Sequence, residues 1–279
     1  MKAVFTIFLV VWNAPGAAAQ SLRYPLAQPY TGLSAYSIRQ NDALSFTGNQ
    51  AALAQLTTAG IAVFGERRFM LKETSSYTLG VSVPTRLGNI GLQLNYAGFK
   101  DFNESRIGLA YAKPLGKVVD VGAGFNYYGY RVPSYGNAST VNFEIGLMMH
   151  LSDRLNAGMH VYNPVGGRLG KKSTPGTTTE KLASAYKLGF GYDASDRFFI
   201  ASEIIKEEDK PVNVIAGFQY QFARQFFVRA GFQSETTSVY AGAGVGWKNL
   251  RLDISSSYHP QLGFSPGMLL IMCFKKKEG

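Results

Sequence analysis

The residues able to do chemistry in this chain are few. Histidine occurs three times, at His150, His160 and His259, and cysteine once, at Cys273. A zinc site needs three or four His, Cys or carboxylate ligands brought together. These imidazoles lie in separate segments and not at ligand spacing, and a single thiol forms neither an intrachain disulfide nor a thiolate cluster. Nucleophilic hydrolysis needs a Ser or Cys beside a base that a third group orients. Ser255 and Ser257 share a segment with His259, but side chains two apart on a strand do not make a triad. Gly122-Ala123-Gly124 and Gly242-Ala243-Gly244-Val245-Gly246 repeat at period two, without the strand-to-helix turn of a dinucleotide fingerprint. No catalytic, metal or cofactor site is expected.

A larger set of polar side chains is spaced by apolar ones. It comprises Gln93, Asn95, Arg106, Asp120, Asn142, Glu144, His160, Lys187, Glu203, Arg229 and Asp253, with Asn126, Asn156, Asp193, Asn213 and Gln219 in the same phase. Both signs of charge occur in neighbouring segments. Charges drawn out of water must pair or stay hydrated, so this chemistry is a salt-bridged or wet interior, or a permeation path.

The elements that hold these residues follow from the same spacing. Val212-Asn213-Val214-Ile215-Ala216-Gly217-Phe218-Gln219-Tyr220 alternates, as do Val141 to Leu147 and Leu155 to Val161. Successive side chains of a strand point to opposite faces, so one face is apolar and the other carries Asn, Glu, His and Gly. The pattern predicts an all-β fold, a transmembrane antiparallel β-barrel of about fourteen strands, lipid-facing outside and polar inside. The strand centres fall at Ile61, Leu79, Leu92, Leu109, Val121, Ile145, Met159, Leu188, Ile200, Ala216, Val228, Ala243, Ile254 and Leu270. A hydrophobic fraction of 46% and a mean hydropathy of -0.03 fit, because the two faces cancel in any average. Sixteen Tyr and nineteen Phe suit aromatic belts at the two interfaces.

Three regions are expected. Residues 1–19 read as a signal peptide: Lys2, an apolar run from Ala3 to Trp12, and the small-residue site Ala17-Ala18-Ala19. Residues 20–56 carry Pro25, Pro29, Gly32 and Gly48 without sustained alternation, and read as a plug or an extension across the periplasmic mouth. Residues 57–279 are the barrel, ending in Lys275-Lys276-Lys277-Glu278-Gly279. Every second link is short, as in Leu87-Gly88-Asn89, Ser152-Asp153-Arg154 and Lys248-Asn249. The others run longer: Arg131 to Ala138, Gly166 to Lys181, Lys206 to Pro211 and His259 to Gly267. Short periplasmic turns and longer outer loops characterise outer-membrane barrels, so the expected location is the outer membrane of a Gram-negative bacterium, with both termini periplasmic and a low outer profile. The net charge of +10 is scattered, without the aromatic interleaving of a nucleic-acid groove. The expected partners are outer-membrane lipids and other outer-membrane proteins or lipoproteins.

Short motifs add a resemblance. The run from Asn41-Asp42 through Asn49-Gln50-Ala51-Ala52-Leu53, Tyr162-Asn163-Pro164, and Ser257-Tyr258-His259-Pro260 onward resemble the FadL class of fourteen-stranded barrels, nearest its PorV/PorQ-like branch associated with type IX secretion. Gln50 and Ala52 stand where that class usually has Pro and Gly. The resemblance singles out Asn41, Asp42 and Asn49 as plug residues. It implies a non-catalytic accessory or structural subunit of a larger outer-membrane complex serving protein secretion or membrane assembly. The alternative is a FadL-like channel for uptake of hydrophobic small molecules, which would need an apolar pocket and an opening at a kink in the third or fifth strand.

Overall fold

Alternation builds strands and turn residues end them, and the result is a closed sheet. The computed structural model describes residues 32–133, 136–166, 168–169, 180–208 and 210–274. The expected signal peptide, the basic tail and most of the loop from Gly166 to Lys181 lie outside these residues. The barrel strands are β1 (Ala59–Arg67), β2 (Ser75–Pro84), β3 (Asn89–Phe99), β4 (Phe102–Leu115), β5 (Val119–Val132), β6 (Gly136–His150), β7 (Leu155–Tyr162), β10 (Ala185–Asp193), β11 (Phe198–Glu207), β12 (Asn213–Tyr220), β13 (Phe226–Gln233), β14 (Ser238–Trp247), β15 (Leu250–His259) and β16 (Gly263–Phe274). Two-residue strands β8 (Arg168–Leu169) and β9 (Glu180–Lys181) pair with each other in the β7–β10 connection. The fourteen long strands close by β1 pairing with β16, antiparallel throughout. Each of the fourteen expected centres falls within its strand.

The links differ from expectation. β5 runs to Val132 and β6 starts at Gly136, β15 runs to His259 and β16 starts at Gly263, so two expected loops are mostly strand. Lys100-Asp101 alone joins β3 to β4. Polar residues continue those strands above the apolar band, where alternation no longer distinguishes strand from loop. The β7–β10 connection is the long one, and its described end at Leu182 turns inward. Leu182 is buried against Ala97, Tyr128, Tyr162 and Ala185 on the inner wall. Asn163, at φ 50°, donates from Nδ2 to the Leu182 carbonyl at 2.5 Å. β3 and β5 pair with their neighbours along their length, so neither supplies the expected break.

The outer wall carries the apolar rows. Val63, Phe125, Val141 and Ile254 are each at least half exposed at mid-strand. Tyr111, Tyr192, Tyr220, Phe226 and Trp247 mark the rim of tight turns, and Tyr77, Tyr96, Tyr186, Phe232 and Phe264 the opposite rim. This is a lipid-facing band between two aromatic belts. A mid-wall Phe125→Arg substitution is expected to cost about 2–4 kcal/mol of folding free energy in a bilayer. Denaturant titration in vesicles measures it, and a cost near zero would move residue 125 off the lipid face.

Candidate functional site: a plugged lumen

The inner wall is built to receive another piece of chain. Residues 32–56 enter at the rim that carries the tight turns, where Ala59 of β1 pairs with Phe274 of β16. They form three short 3-10 helices, Ser34–Tyr36, Ser45–Thr47 and Gln50–Gln55, with no period to read beforehand. Asn49 caps the third: its Oδ1 accepts from Ala51 N at 3.0 Å, and its Nδ2 donates to the Leu147 and Met159 carbonyls. Tyr36, Leu44, Phe46, Asn49, Ala51 and Leu53 are almost wholly buried. Inward glycines make the room. A Cβ on Gly122 would lie 2.5 Å from Ala51 N, and one on Gly158 2.8 Å from the Tyr36 ring. Side chains there would collide with the plug.

The eleven polar residues expected inside are all buried on the inner face, and the structure joins them into four networks, each including plug atoms. Around Glu144, its carboxylate accepts from Asn126 Nδ2 at 2.5 Å and from Gln50 of the plug, and lies 2.9 Å from His160 Nε2. Asn126 continues the chain, accepting from Gln93 at 3.1 Å and donating to Asn142 at 3.0 Å, and Asn142 donates to Tyr162 at 2.8 Å. Alongside, Arg106 Nε donates to Asn95 at 3.2 Å and Asn95 to Thr78 at 2.8 Å. The Arg106 charge acts on Glu144 across the strands.

The second network centres on Glu203. It accepts from the Tyr36 hydroxyl at 2.8 Å and pairs with Lys187 at 3.6 Å. Burial first, then the Glu203 carboxylate, push the Tyr36 phenol well above its ordinary pKa, so it stays a donor. Ser37 donates to Asp193 at 2.6 Å nearby. In the third, Asp253 pairs with Arg229 and Arg251, both at 3.0 Å, and Arg251 reaches Asp42 of the plug at 3.3 Å. Phe227 lies against both guanidinium groups. In the fourth, Asp120 meets His150 Nε2 at 2.7 Å and accepts from Gln55 of the plug at 2.6 Å. Asn41 Nδ2 holds the plug to itself through the Ala52 carbonyl at 2.6 Å. The hydrogen-bond partners of His150 and His160 are carboxylates and amides, an arrangement that fixes side chains rather than activating a nucleophile.

Sequence spacing missed Tyr36, Gln50, Gln55, Glu104 and Arg251. The plug residues have no periodicity to expose them. Glu104, which accepts from Tyr128 at 3.0 Å, and Arg251 share the inward phase of their strands, and phase alone could have found them.

One part of the inner face contradicts a uniformly polar lumen. Phe64 of β1, Leu269 and Ile271 of β16 and Tyr240 of β14 point inward and pack with Ala43 and Leu44 of the plug. Phe199, Ile205 and Ile215 of β11 and β12 also point inward, in a cluster with Leu33, Tyr36 and Ala51 of the plug. The plug supplies apolar side chains to match, so these positions need not be polar. Met268 to Cys273 is an unbroken apolar run, the signal that both faces of β16 are covered. Cys273 faces inward and is half-buried.

Water reaches this side from the far mouth. Gln233, Ser238, Ser257 and His259 lie in the inward phase at the distal ends of β13 to β15 and are partly exposed, above Tyr240. Below, at the tight-turn rim, a cleft of about 280 Å³ lies between the plug and β1, β15 and β16, lined by Asp42, Ala43, Gly60, Arg251, Ile271 and Cys273 among others. Ala43 lines this cleft, and it packs with Leu44 in the apolar cluster of Phe64, Tyr240 and Leu269.

Fold and site together define a plugged transmembrane β-barrel. No family model matches the sequence, and no curated protein matches it. Solved structures match the fold. A Pseudomonas aeruginosa FadL homologue superposes with a TM-score of 0.57 at 13% identity, over 84% of this chain and 93% of that one. A TodX deltaS2S3 mutant monoaromatic hydrocarbon channel gives 0.54 at 10% identity, over 82% and 92%. The Acinetobacter baumannii outer membrane protein Omp33 gives 0.51 at 9% identity, over 78% and 98%. The fold, a closed antiparallel fourteen-strand barrel, is therefore one that these outer-membrane proteins share.

Proposed function

We propose that the chain is an outer-membrane channel for small hydrophobic molecules, held closed by its own N-terminal segment. The observation that carries this reading is the apolar patch of the inner wall that the plug covers beside the cleft. Partly exposed polar residues of β13 to β15 line the inner wall at the far end, an apolar cluster of Phe64, Leu269 and Tyr240 with Ala43 and Leu44 of the plug lies below them, and Ala43 also lines the cleft at the tight-turn rim. The apolar side chains of the plug occupy the surface that an apolar solute would take when the plug shifts. The fold likeness to a hydrocarbon channel supports the same reading. On this reading the tight turns and both termini are periplasmic, and the barrel does no catalysis.

The accessory-subunit reading, with its type IX secretion link, rests on the short motifs and stands second. Uptake of a monoaromatic hydrocarbon by intact cells tests the two, because a lipopolysaccharide leaflet slows such solutes. Expression of the chain is expected to raise the uptake rate several-fold and to leave that of a charged solute of similar size unchanged. No increase, together with recovery in fixed stoichiometry with other outer-membrane proteins under mild detergent, would establish the subunit reading instead.

A further inference from the structure

We propose that the tight-turn rim is a binding ring for the phosphate groups of anionic phospholipids. The inference rests on the transmembrane fold and not on the channel reading. Six turns close this rim, and each carries one exposed basic residue: Arg86, Lys117, Arg154, Arg197, Arg224 and Lys248. Their only acidic turn residues are Asp153 and Asp196, and Asp196 pairs with Arg39 of the plug. The six cations make no ion pair among the described residues.

The opposite rim differs. There acids are interspersed with the bases: Lys210 pairs with Glu207 at 2.9 Å and Glu235 at 3.4 Å, Arg68 pairs with Glu66 at 2.8 Å, and Glu73 and Asp101 follow Lys72 and Lys100 in the chain, although Arg67, Lys72, Lys100, Arg131 and Lys206 are exposed and make no ion pair among the described residues.

Depth selects the occupant. Exposed apolar residues adjoin the cations: Leu87 beside Arg86, Val118 beside Lys117, Phe222 close to Arg224. Lys248 Nζ lies 6.0 Å from the Trp247 ring. Aromatic and large apolar residues at a barrel end sit at the edge of the hydrocarbon, so the neighbouring cations reach the phosphate layer. The cations also recur at every turn around the rim, from β2–β3 to β14–β15, as a lipid annulus would require, whereas an acidic protein would call for cations on one arc. Basic residues at this level attract anionic head groups, and the attraction weakens with ionic strength.

The test uses the full chain in nanodiscs made from equimolar phosphatidylcholine and phosphatidylglycerol, with retained lipids counted by native mass spectrometry. The native chain is expected to retain phosphatidylglycerol several-fold over phosphatidylcholine. The preference should fade as salt shortens the screening length from about 10 Å at 0.1 M to about 3 Å at 1 M. Changing all six residues to Gln is expected to abolish the preference while heat-modifiable gel migration shows an intact barrel. The six single Gln variants, each expected to lose a fraction of it, carry the test if the combined variant fails to fold. No preference in the native chain, or an equal preference in the folded Gln variants, would overturn the proposal.

Discussion

A chain lacking residues 32–56 is expected to fold into the same barrel and to conduct at least tenfold more than the intact chain in planar bilayers. The barrel needs none of these residues for closure, since β1 pairs with β16 and β2 through residues 60–66. What the deletion removes is the packing of Leu44, Phe46 and Leu53 on the inner wall and the plug end of each polar network. Water then enters and hydrates the freed charges, so the cost falls on rigidity more than on folding. The same rise should follow, in smaller measure, from Gly122→Val, which puts a branched side chain where a Cβ already lies 2.5 Å from plug backbone. Single-channel recording reads both. Unchanged conductance in the deletion would mean that the distal cover around Leu182 closes the lumen unaided.

The second large effect concerns Glu144. Glu144→Ala is expected to destabilise the barrel by about 3 kcal/mol or more, since each buried donor left without its acceptor costs about 1–3 kcal/mol. The change leaves Gln50, Asn126 and His160 without their shared acceptor and Arg106 without the nearby negative charge. Glu144→Gln keeps one carbonyl acceptor and should cost clearly less. Urea titration of the vesicle-embedded protein gives both midpoints. Equal, small losses for the two variants would mean that water, and not the protein, solvates this cluster.

What the sequence disclosed and what it hid divide along a physical line. Strand positions and the inward phase of residues such as Gln93, Glu144 and Asp253 were legible, because a sheet between lipid and a wet or plugged lumen forces a two-residue period. The inward apolar patch was not. At Phe64, Leu269 and Ile271 both faces of the wall are covered by nonpolar matter, and a period vanishes where both sides want the same residue type. The plug was legible as a region but not in its contacts, since 3-10 turns such as Gln50–Gln55 leave no spacing that would aim Gln50 at Glu144 or Tyr36 at Glu203. The inturned Leu182 was hidden for another reason. It lies at the end of a Gly-, Ser- and Thr-rich stretch that resembles a solvated loop, and one leucine carries no pattern.

On the proposed reading, movement of the plug segment that carries Ala43 and Leu44 governs passage, and a reversible lock tests it most directly. A Cβ on Gly60 would stand 3.0 Å from Ala43 Cβ, close to the separation of about 3.8 Å that a disulfide bridges. Ala43→Cys with Gly60→Cys, made with Cys273→Ser because residue 273 pairs with residue 60, can therefore tie the plug to β1. Hydrocarbon uptake by cells carrying this variant is the measurement. The account predicts uptake at the host background when the pair is oxidised and several-fold above it after reduction. Equal uptake in the oxidised and reduced states, with the disulfide verified by mass spectrometry, would contradict it.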